Sequence, residues 1–324
     1  MSNILITGGA GFIGSHLTEL LLNREDHVTI VDDLSTGTPV NLKHLKNHPQ
    51  LTFIHGDIGN EQLINEVIQE KDQVYHLAAA VGVALIAKQP IETIERNIYP
   101  TQLLLAALRQ RIERGESVTT FFSSTSEVYG KNPKEVWTEE DDLVFGATTR
   151  PRWSYGVSKA IDEFLALACV KEYSLPIVIG RFFNVVGPRQ TGAYGMVLPR
   201  FVQAALAGDP LKVHDDGKQT RCFSHVYDVT RAITRLMETP EAFGKVINIG
   251  SDCPISILEL AERVIELCES NSQIEFQSYT EAYDESFEDI RRRVPDLSRI
   301  REMIGDPNQH DMDQIIRDVR DSLS

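Results

Sequence analysis

Tyr155 and Lys159 stand four residues apart in Trp153-Ser154-Tyr155-Gly156-Val157-Ser158-Lys159, a spacing that puts both side chains on one face of a helix. A free tyrosine titrates near ~10, too high for a general base at neutral pH. A lysine cation about 4 Å away, at an effective dielectric near ~20, contributes roughly 4 kcal/mol, or about three pKa units before desolvation. The pair is therefore a candidate for proton transfer, although a Tyr/Lys pair alone also describes an exposed helix start. A second cluster, Ser123-Ser124-Thr125-Ser126-Glu127-Val128-Tyr129-Gly130, sets hydroxyls and a carboxylate at the end of a β-rich run. In a doubly wound sheet the carboxyl ends of strands line the ligand crevice.

A third cluster is suited to phosphate. Gly8, Gly11 and Gly14 lie in Thr7-Gly8-Gly9-Ala10-Gly11-Phe12-Ile13-Gly14, between a predicted strand and a predicted helix. Glycines so placed permit a tight turn, close approach of backbone to a pyrophosphate, and close helix–strand packing. The helix N-terminus adds free N–H groups and the positive end of its dipole. No Gly-Lys-Ser/Thr follows, which excludes an ATP-type P-loop. The next strand ends at Asp32-Asp33. A carboxylate there accepts from adenosine ribose hydroxyls and repels a 2′-phosphate, which favours NAD over NADP. Asp57 and Ile58, after the third strand, fall within reach of the adenine, with a helix N-cap an equal reading for Asp57.

The elements that must position these residues alternate. Short β-rich runs at 4–7, 28–31, 52–54, 73–77, 119–123 and 177–181 are separated by helical stretches at 11–23, 61–69, 92–114 and 156–173. Repeated β-then-α order predicts an α/β fold with a doubly wound, Rossmann-like parallel sheet. Later segments are less regular: helices are expected at 197–208, 228–238 and 257–269, a strand at 245–249, and loops at 187–195 and 215–219. The expected division is a dinucleotide-binding domain over 1–184 and a smaller α/β substrate lobe over 185–324. Within that lobe, about 224–250 is expected to pack back on the first domain.

Composition narrows the classes. The chain has 324 residues, 32 basic and 47 acidic side chains, and a net charge of −15. That balance excludes a large phosphate-tracking surface, and so nucleic acid as a partner, but not a small anionic ligand held by local cations. No apolar run is long enough for a bilayer, and the first residues lack the pattern of a signal peptide, so a soluble cytoplasmic protein is expected. Cys169, Cys222, Cys253 and Cys268 are scattered and form no CxxC pair, indicating neither a disulfide framework nor zinc. His44 and His48 share a helical face but lack a third ligand, so no metal is expected. Trp153 reads as packing.

In combination, the glycine loop, Asp32, the Thr125–Glu127 cluster and the Tyr-x-x-x-Lys helix resemble the extended short-chain dehydrogenase/reductase family. Its members include NAD-dependent nucleotide-sugar epimerases, dehydratases and decarboxylases, and the resemblance covers nearly the whole chain. It implies that Tyr155 takes the proton of a sugar 4-hydroxyl while hydride leaves C4, that Thr125 holds the same hydroxyl, and that Lys159 holds the nicotinamide ribose and lowers the Tyr155 pKa. It also implies cofactor contacts from Gly8, Gly11, Phe12, Ile13 and Gly14, from Asp32, Asp33, Ser35 and Gly37, and from Leu77, Ala78, Ala79 and Asn97. The family more often has Asn where this chain has Asp33. Asn184, Val197, Lys212 and Arg221 match stretches that hold the nucleotide-sugar diphosphate.

The run Phe287-Glu288-Asp289-Ile290-Arg291-Arg292-Arg293-Val294-Pro295-Asp296 looks most like UDP-glucuronate decarboxylases, and places Arg292 and Arg293 at the substrate. Thr125-Ser126-Glu127 matches the same subgroup: simple 4-epimerases generally lack this acid, and many 4,6-dehydratases have Asp-Glu after the Thr. GDP-mannose 4,6-dehydratases also carry Thr-Ser-Glu. The implied reaction is oxidation of UDP-glucuronate at C4 and decarboxylation to UDP-xylose or the 4-keto pentose, with Ser126 or Glu127 assisting protonation at C5. An Arg293 that bound the carboxylate strongly would oppose CO2 loss, so it is expected to orient that group or to bind diphosphate. A UDP-sugar 4-epimerase is the alternative, a 4,6-dehydratase the third reading, and a non-catalytic NAD sensor the different class. Two helices apolar on more than one face, around 103–108 and 161–170, imply a homodimer.

Overall fold

The computed structural model describes residues 1–80, 90–192, 196–278 and 290–323. The tip of the expected 187–195 loop (193–195) and the start of the arginine run (287–289) lie outside them. The first half builds β1 (Asn3–Thr7), α1 (Phe12–Asn23), β2 (His27–Asp32), β3 (Leu51–His55), α2 (Glu61–Val67), β4 (Gln73–His76), α3 (Pro90–Glu113), β5 (Thr119–Thr125), α4 (Ser154–Tyr173) and β6 (Ile177–Phe182). The strand cores of β1, β4, β5 and β6 are buried almost end to end, as a parallel sheet covered on both faces requires.

The second half continues with β7 (Val185–Val186), α5 (Val197–Ala207), β8 (Leu211–His214), β9 (Thr220–Cys222), β10 (Ser224–His225), α6 (Val226–Met237) and β11 (Lys245–Ile249). It then forms β12 (Pro254–Ser256), α7 (Ile257–Leu267), β13 (Ile274–Gln277), β14 (Arg292–Arg293), α8 (Ser298–Ile304) and α9 (Met312–Leu323).

The central sheet has seven strands in the order β11-β6-β5-β4-β1-β2-β3, all pairs parallel. The strand order reverses between β1 and β4, the point where doubly wound sheets bind ligands. One apolar layer packs α1 and α6 with Ile300 and Ile304 of α8 on one face of the sheet. A second layer packs α2, α3 and α4 on the other. A separate core of Leu198, Phe201, Leu260, Val264, Ile315 and Ile316 fills the smaller lobe.

The segment expected to pack back, about 224–250, holds α6 and β11. β11 pairs with β6 at the edge of the central sheet, and α6 and α8 belong to the first apolar layer. β9 and β14, by contrast, stand outside that sheet, and with β12 form a three-stranded sheet. Trp137 bridges the lobes, its backbone N–H donating to Val294 O at 2.9 Å and its carbonyl accepting from Asp296 N at 2.8 Å.

Candidate active site

One cavity of about 1480 Å³ runs across the carboxyl ends of β1, β2, β4 and β5 and into the smaller lobe. Its first wall is the glycine loop. Gly8 has φ +74°, and a Cβ there would lie 2.8 Å from Ala78 N; a Cβ on Gly14 would lie 2.2 Å from Gly8 O. Only glycine therefore lets the loop close against β4 and α1. α1 starts at Phe12 after Gly11 with no side-chain cap, so its first N–H groups face the cavity walled by Gly11, Phe12, Ile13 and Gly14.

Asp32 ends β2 in the cavity wall. Its two carboxylate oxygens accept from Ala10 N and Leu34 N, both at 2.9 Å, which fixes its angle while leaving lone pairs for a diol. Burial pushes its carboxyl up, against those two N–H bonds. Gly37 lies behind it, where a Cβ would come within 2.9 Å of Asp32 Oδ1. Asp57, Ile58, Leu77, Ala78 and Ala79 line the opposite side. Asp57 caps no helix: its Oδ1 accepts from Gly59 N at 2.7 Å, and Asn60 caps α2. These residues fit a dinucleotide: a cradle that a Cβ would fill, an uncapped helix start and a carboxylate at the ribose position.

Two expected cofactor contacts sit differently. Asn97 is buried behind the wall, its Oδ1 accepting from Ala80 N at 2.8 Å and its Nδ2 donating to Ser158 Oγ at 3.1 Å. It braces the 77–80 segment against α4. Asp33 Oδ1 accepts from Ser35 N (2.9 Å) and Ser35 Oγ (2.6 Å), and its Oδ2 accepts from Arg96 Nη1 (2.8 Å). Its carboxylate is thus committed to the loop and to Arg96.

At the centre, Thr125 ends β5 and Tyr155 opens α4, both on the cavity wall. Burial pushes the Tyr155 phenol well above its ordinary value and Glu127 adds to this, while a hydrogen bond with Thr125 opposes it. Lys159, one turn further along α4, is buried. Its ammonium donates to Asp162 Oδ2 at 2.9 Å, and both side chains are buried. Asp162, three residues on in the same helix, thus fixes where the lysine ammonium sits.

Glu127 is the focus of a second cluster. Its Oε2 lies 2.5 Å from Arg152 Nη1, and its Oε1 forms an ion pair with Arg293 Nη1. Burial alone would raise its pKa, but Arg293 and Arg152 overcome this and hold it at about 2. At neutral pH Glu127 is thus a carboxylate gripped by two guanidinium groups. Ser126, buried beside it, lines the same wall. Arg152 was not singled out by sequence reasoning; its signal was its place in Pro151-Arg152-Trp153, directly before the Ser-Tyr that opens α4.

In the smaller lobe, Asn184, Val197, Lys212, Arg221 and Arg293 reach the same cavity. Asn184 holds φ +34°, a left-handed backbone uncommon outside glycine, and its Nδ2 donates to Cys222 O at 2.9 Å. Arg292 is corrected. Successive residues of a strand face opposite sides, so β14 turns Arg293 inward and leaves Arg292 exposed, donating to Glu135 O at 3.0 Å. Arg189, at φ +68°, lines the cavity 2.5 Å from Glu19 Oε2, and His44 lies 3.1 Å from the same carboxylate oxygen. His44 and His48 build no metal site, and among the described residues there is no cluster that could hold one. Trp153 is buried packing.

The cavity lining includes Arg189, Arg200, Lys212 and Arg221, and also Asp32, Asp57 and an Arg96 paired with Asp33 and Glu92. Among the described residues no helix is long and apolar enough to cross a membrane.

Comparison with known proteins agrees with this architecture. Residues 5–319 match the family described as GDP-mannose 4,6 dehydratase. A UDP-N-acetyl-alpha-D-glucosaminuronate decarboxylase of Bacillus cytotoxicus is 42% identical over 305 residues, covering 92% of this chain and 90% of that protein. UDP-glucuronic acid decarboxylase 6 of Arabidopsis thaliana is 35% identical over 306 residues, covering 93% and 83%. Among solved structures, UDP-glucuronic acid 4-epimerase from Bacillus cereus, in complex with UDP-glucuronic acid and NAD, superposes with a TM-score of 0.87 at 29% identity, covering 99% of this chain and 98% of that one. The chain therefore belongs to the GDP-mannose 4,6 dehydratase family of extended short-chain dehydrogenases/reductases, the nucleotide-sugar epimerases, dehydratases and decarboxylases.

Proposed function

We propose that this enzyme oxidises C4 of a UDP-hexuronate and then releases its carboxylate as CO2, converting UDP-glucuronate to UDP-xylose or the 4-keto pentose. The observation that carries this reading is the ionised Glu127 held between Arg152 and Arg293 on the wall shared with Thr125 and Tyr155. NAD, bound along the glycine loop, would accept the C4 hydride and be able to return it.

Tyr155 takes the 4-hydroxyl proton and Thr125 fixes the oxygen that loses it. The resulting 4-keto group is β to the C6 carboxylate, so the C5–C6 bond can break with its electrons entering the carbonyl. Tyr155 and Thr125 then donate to the enolate oxygen, where charge develops. Arg293 orients the carboxylate leaving as CO2. Because Glu127 already matches its charge, Arg293 stabilises the ground-state carboxylate less, which relieves its opposition to CO2 loss. The proton that C5 takes comes from a hydroxyl or water at Ser126, since Glu127 is already ionised. Asn184, Lys212 and Arg221 hold the nucleotide diphosphate.

A second reading of the sugar comes from the 42% identical Bacillus cytotoxicus relative, named for the 2-acetamido hexuronate. Purified protein incubated separately with UDP-glucuronate and UDP-N-acetylglucosaminuronate, followed by mass spectrometry, tests both. Loss of CO2 from either supports decarboxylation and names the sugar. An unchanged mass with a new NMR spectrum would make the chain a 4-epimerase, and loss of water from a hexose substrate a 4,6-dehydratase. NAD retention without turnover would leave a sensor. The same reading includes a homodimer joined through α3 and α4, whose outer faces leave Tyr99 51% and Phe164 68% exposed. Light scattering with a Phe164→Glu variant tests that pairing.

A further inference from the structure

Arg96, in the N-terminal half of α3, reaches the cavity wall where the adenosine end of a dinucleotide belongs. Its Nη1 donates to Asp33 Oδ2 at 2.8 Å, and its Nε lies 2.8 Å from Glu92 Oε1 one turn earlier on the same helix. Asp33 is held in place from the other side by the backbone N–H and hydroxyl of Ser35. Burial would raise the Asp33 carboxyl, but Ser35 and Arg96 bring it below its ordinary value, so Asp33 is a carboxylate at neutral pH.

This arrangement bears on which dinucleotide fits. A cofactor carrying a 2′-phosphate needs a cation at the ribose, and arginine, with its planar fork of donors, is the usual choice. The chain has such an arginine in the correct wall of the cavity. It holds that arginine between two carboxylates, beside the Asp32 that already faces the ribose position.

We propose that Asp33 and Glu92 sequester Arg96, and that this pairing sets the selectivity of the chain for NAD over NADP. Asp33 acts twice: it adds negative charge where a 2′-phosphate would lie, and it occupies a cation, Arg96, that would otherwise offset that charge. An asparagine at this position keeps the oxygen that accepts from Ser35 N and loses both effects. The inference rests only on the dinucleotide part of the function proposed above, and is independent of which sugar is processed.

The experiment equilibrates the protein and its variants with equal NAD and NADP, then quantifies the retained nucleotides by mass spectrometry. Asp33→Asn is expected to raise the NADP:NAD ratio about tenfold, a size suited to partly exposed charges. Glu92→Gln, on the helix surface, is expected to raise it about threefold, and serves if Asp33→Asn fails to fold. Arg96→Ala alone is expected to leave the ratio unchanged within about twofold, but in the Asp33→Asn background it should remove most of the gain. That non-additivity is the signature of a sequestered arginine. A ratio unmoved by both Asp33→Asn and Glu92→Gln overturns the proposal. So does an Arg96→Ala effect of equal size in both backgrounds. A protein that keeps these ratios but releases no CO2 from a hexuronate would remove the decarboxylase reading and leave this one standing.

Discussion

The guanidinium of Arg293 forms an ion pair with Oε1 of Glu127, so a two-residue strand near the end of the chain reaches the carboxyl end of β5. Arg152, from the turn before α4, closes the other side of the same carboxylate. Three segments far apart in sequence thus meet around one buried charge.

Removing the inward arginine separates two functions. Arg293→Ala is expected to lower CO2 release about a hundredfold or more while leaving NAD retention within about twofold, since Arg293 lies away from the glycine loop. Release of CO2 and nucleotide content are measured on the same preparation. Equal loss of both would show that Arg293 supports the fold rather than the reaction. Arg292→Ala, on the outward face, is expected to change neither.

Glu127→Gln keeps the shape and removes the charge. It leaves Arg152 and Arg293 with an uncompensated excess at the substrate carboxylate, which strengthens ground-state binding. KM is expected to fall while kcat drops about a hundredfold. If Glu127 were instead a proton donor, the Gln variant would lose kcat with no change in substrate affinity, and parent activity would fall above the pH at which the donor ionises. Glu127 held at about 2 predicts no such limb.

Asp162→Asn frees Lys159. Asp162 raises the Tyr155 phenol directly and holds the lysine charge in a 2.9 Å pair. Its loss is expected to move the acid limb of the kcat/KM profile down by about one pH unit. A profile that stays in place, with only a lower melting temperature, would assign Asp162 a purely structural role.

Buried histidines set an acid limit to stability. Burial lowers His16 to about 4, His225 to about 4 and His76 to about 3. The unfolded chain binds these protons near its ordinary value of ~6.5, before the folded chain does. Stability is therefore full above about 6.5 and falls as pH drops toward 4, by about 1.4 kcal/mol per pH unit for each histidine inside its window. Urea melts across that range test this, and His16→Gln should flatten the slope by one histidine's share.

Breaking the ion pair beneath the site should cost stability instead of chemistry. Arg181 Nη2 donates to Glu163 Oε2 at 2.7 Å, and Ser124 Oγ donates to Glu163 Oε1 at 2.5 Å, all buried. Glu163→Gln strands the Arg181 charge, and is expected to lower stability by about 3–5 kcal/mol in denaturant melts.

Residues legible in the sequence were those whose role is local. The glycine loop, Asp32 and the Thr125 and Tyr155 positions each sit at a strand end or helix start, so the βα pattern alone brings them to one crevice. The pairings were not legible. Asp162 beside Lys159, Arg96 beside Asp33 and Arg152 beside Glu127 depend on side-chain reach across elements, and each redirects a charge that the motif alone would assign elsewhere. Arg293 was picked out by the resemblance, as the arginine two places before Pro295, and not by periodicity, which a strand two residues long lacks. The later half was read least well because β7, β9, β10, β12 and β14 are two or three residues long.

The parallel pairing of β11 with β6 bears on how the protein is made. During translation every other strand of the central sheet emerges before β11 does. Until then β6 presents a bare hydrogen-bonding edge, and a chain ending at Phe182 also lacks the α6 and α8 contributions to the apolar layer. Such an edge is open to pairing with another nascent chain. A polypeptide halted after Phe182 is thus an aggregation-prone fragment, not a free-standing dinucleotide domain, and native folding must wait for the ribosome to pass the smaller lobe's first helix and deliver the last strand.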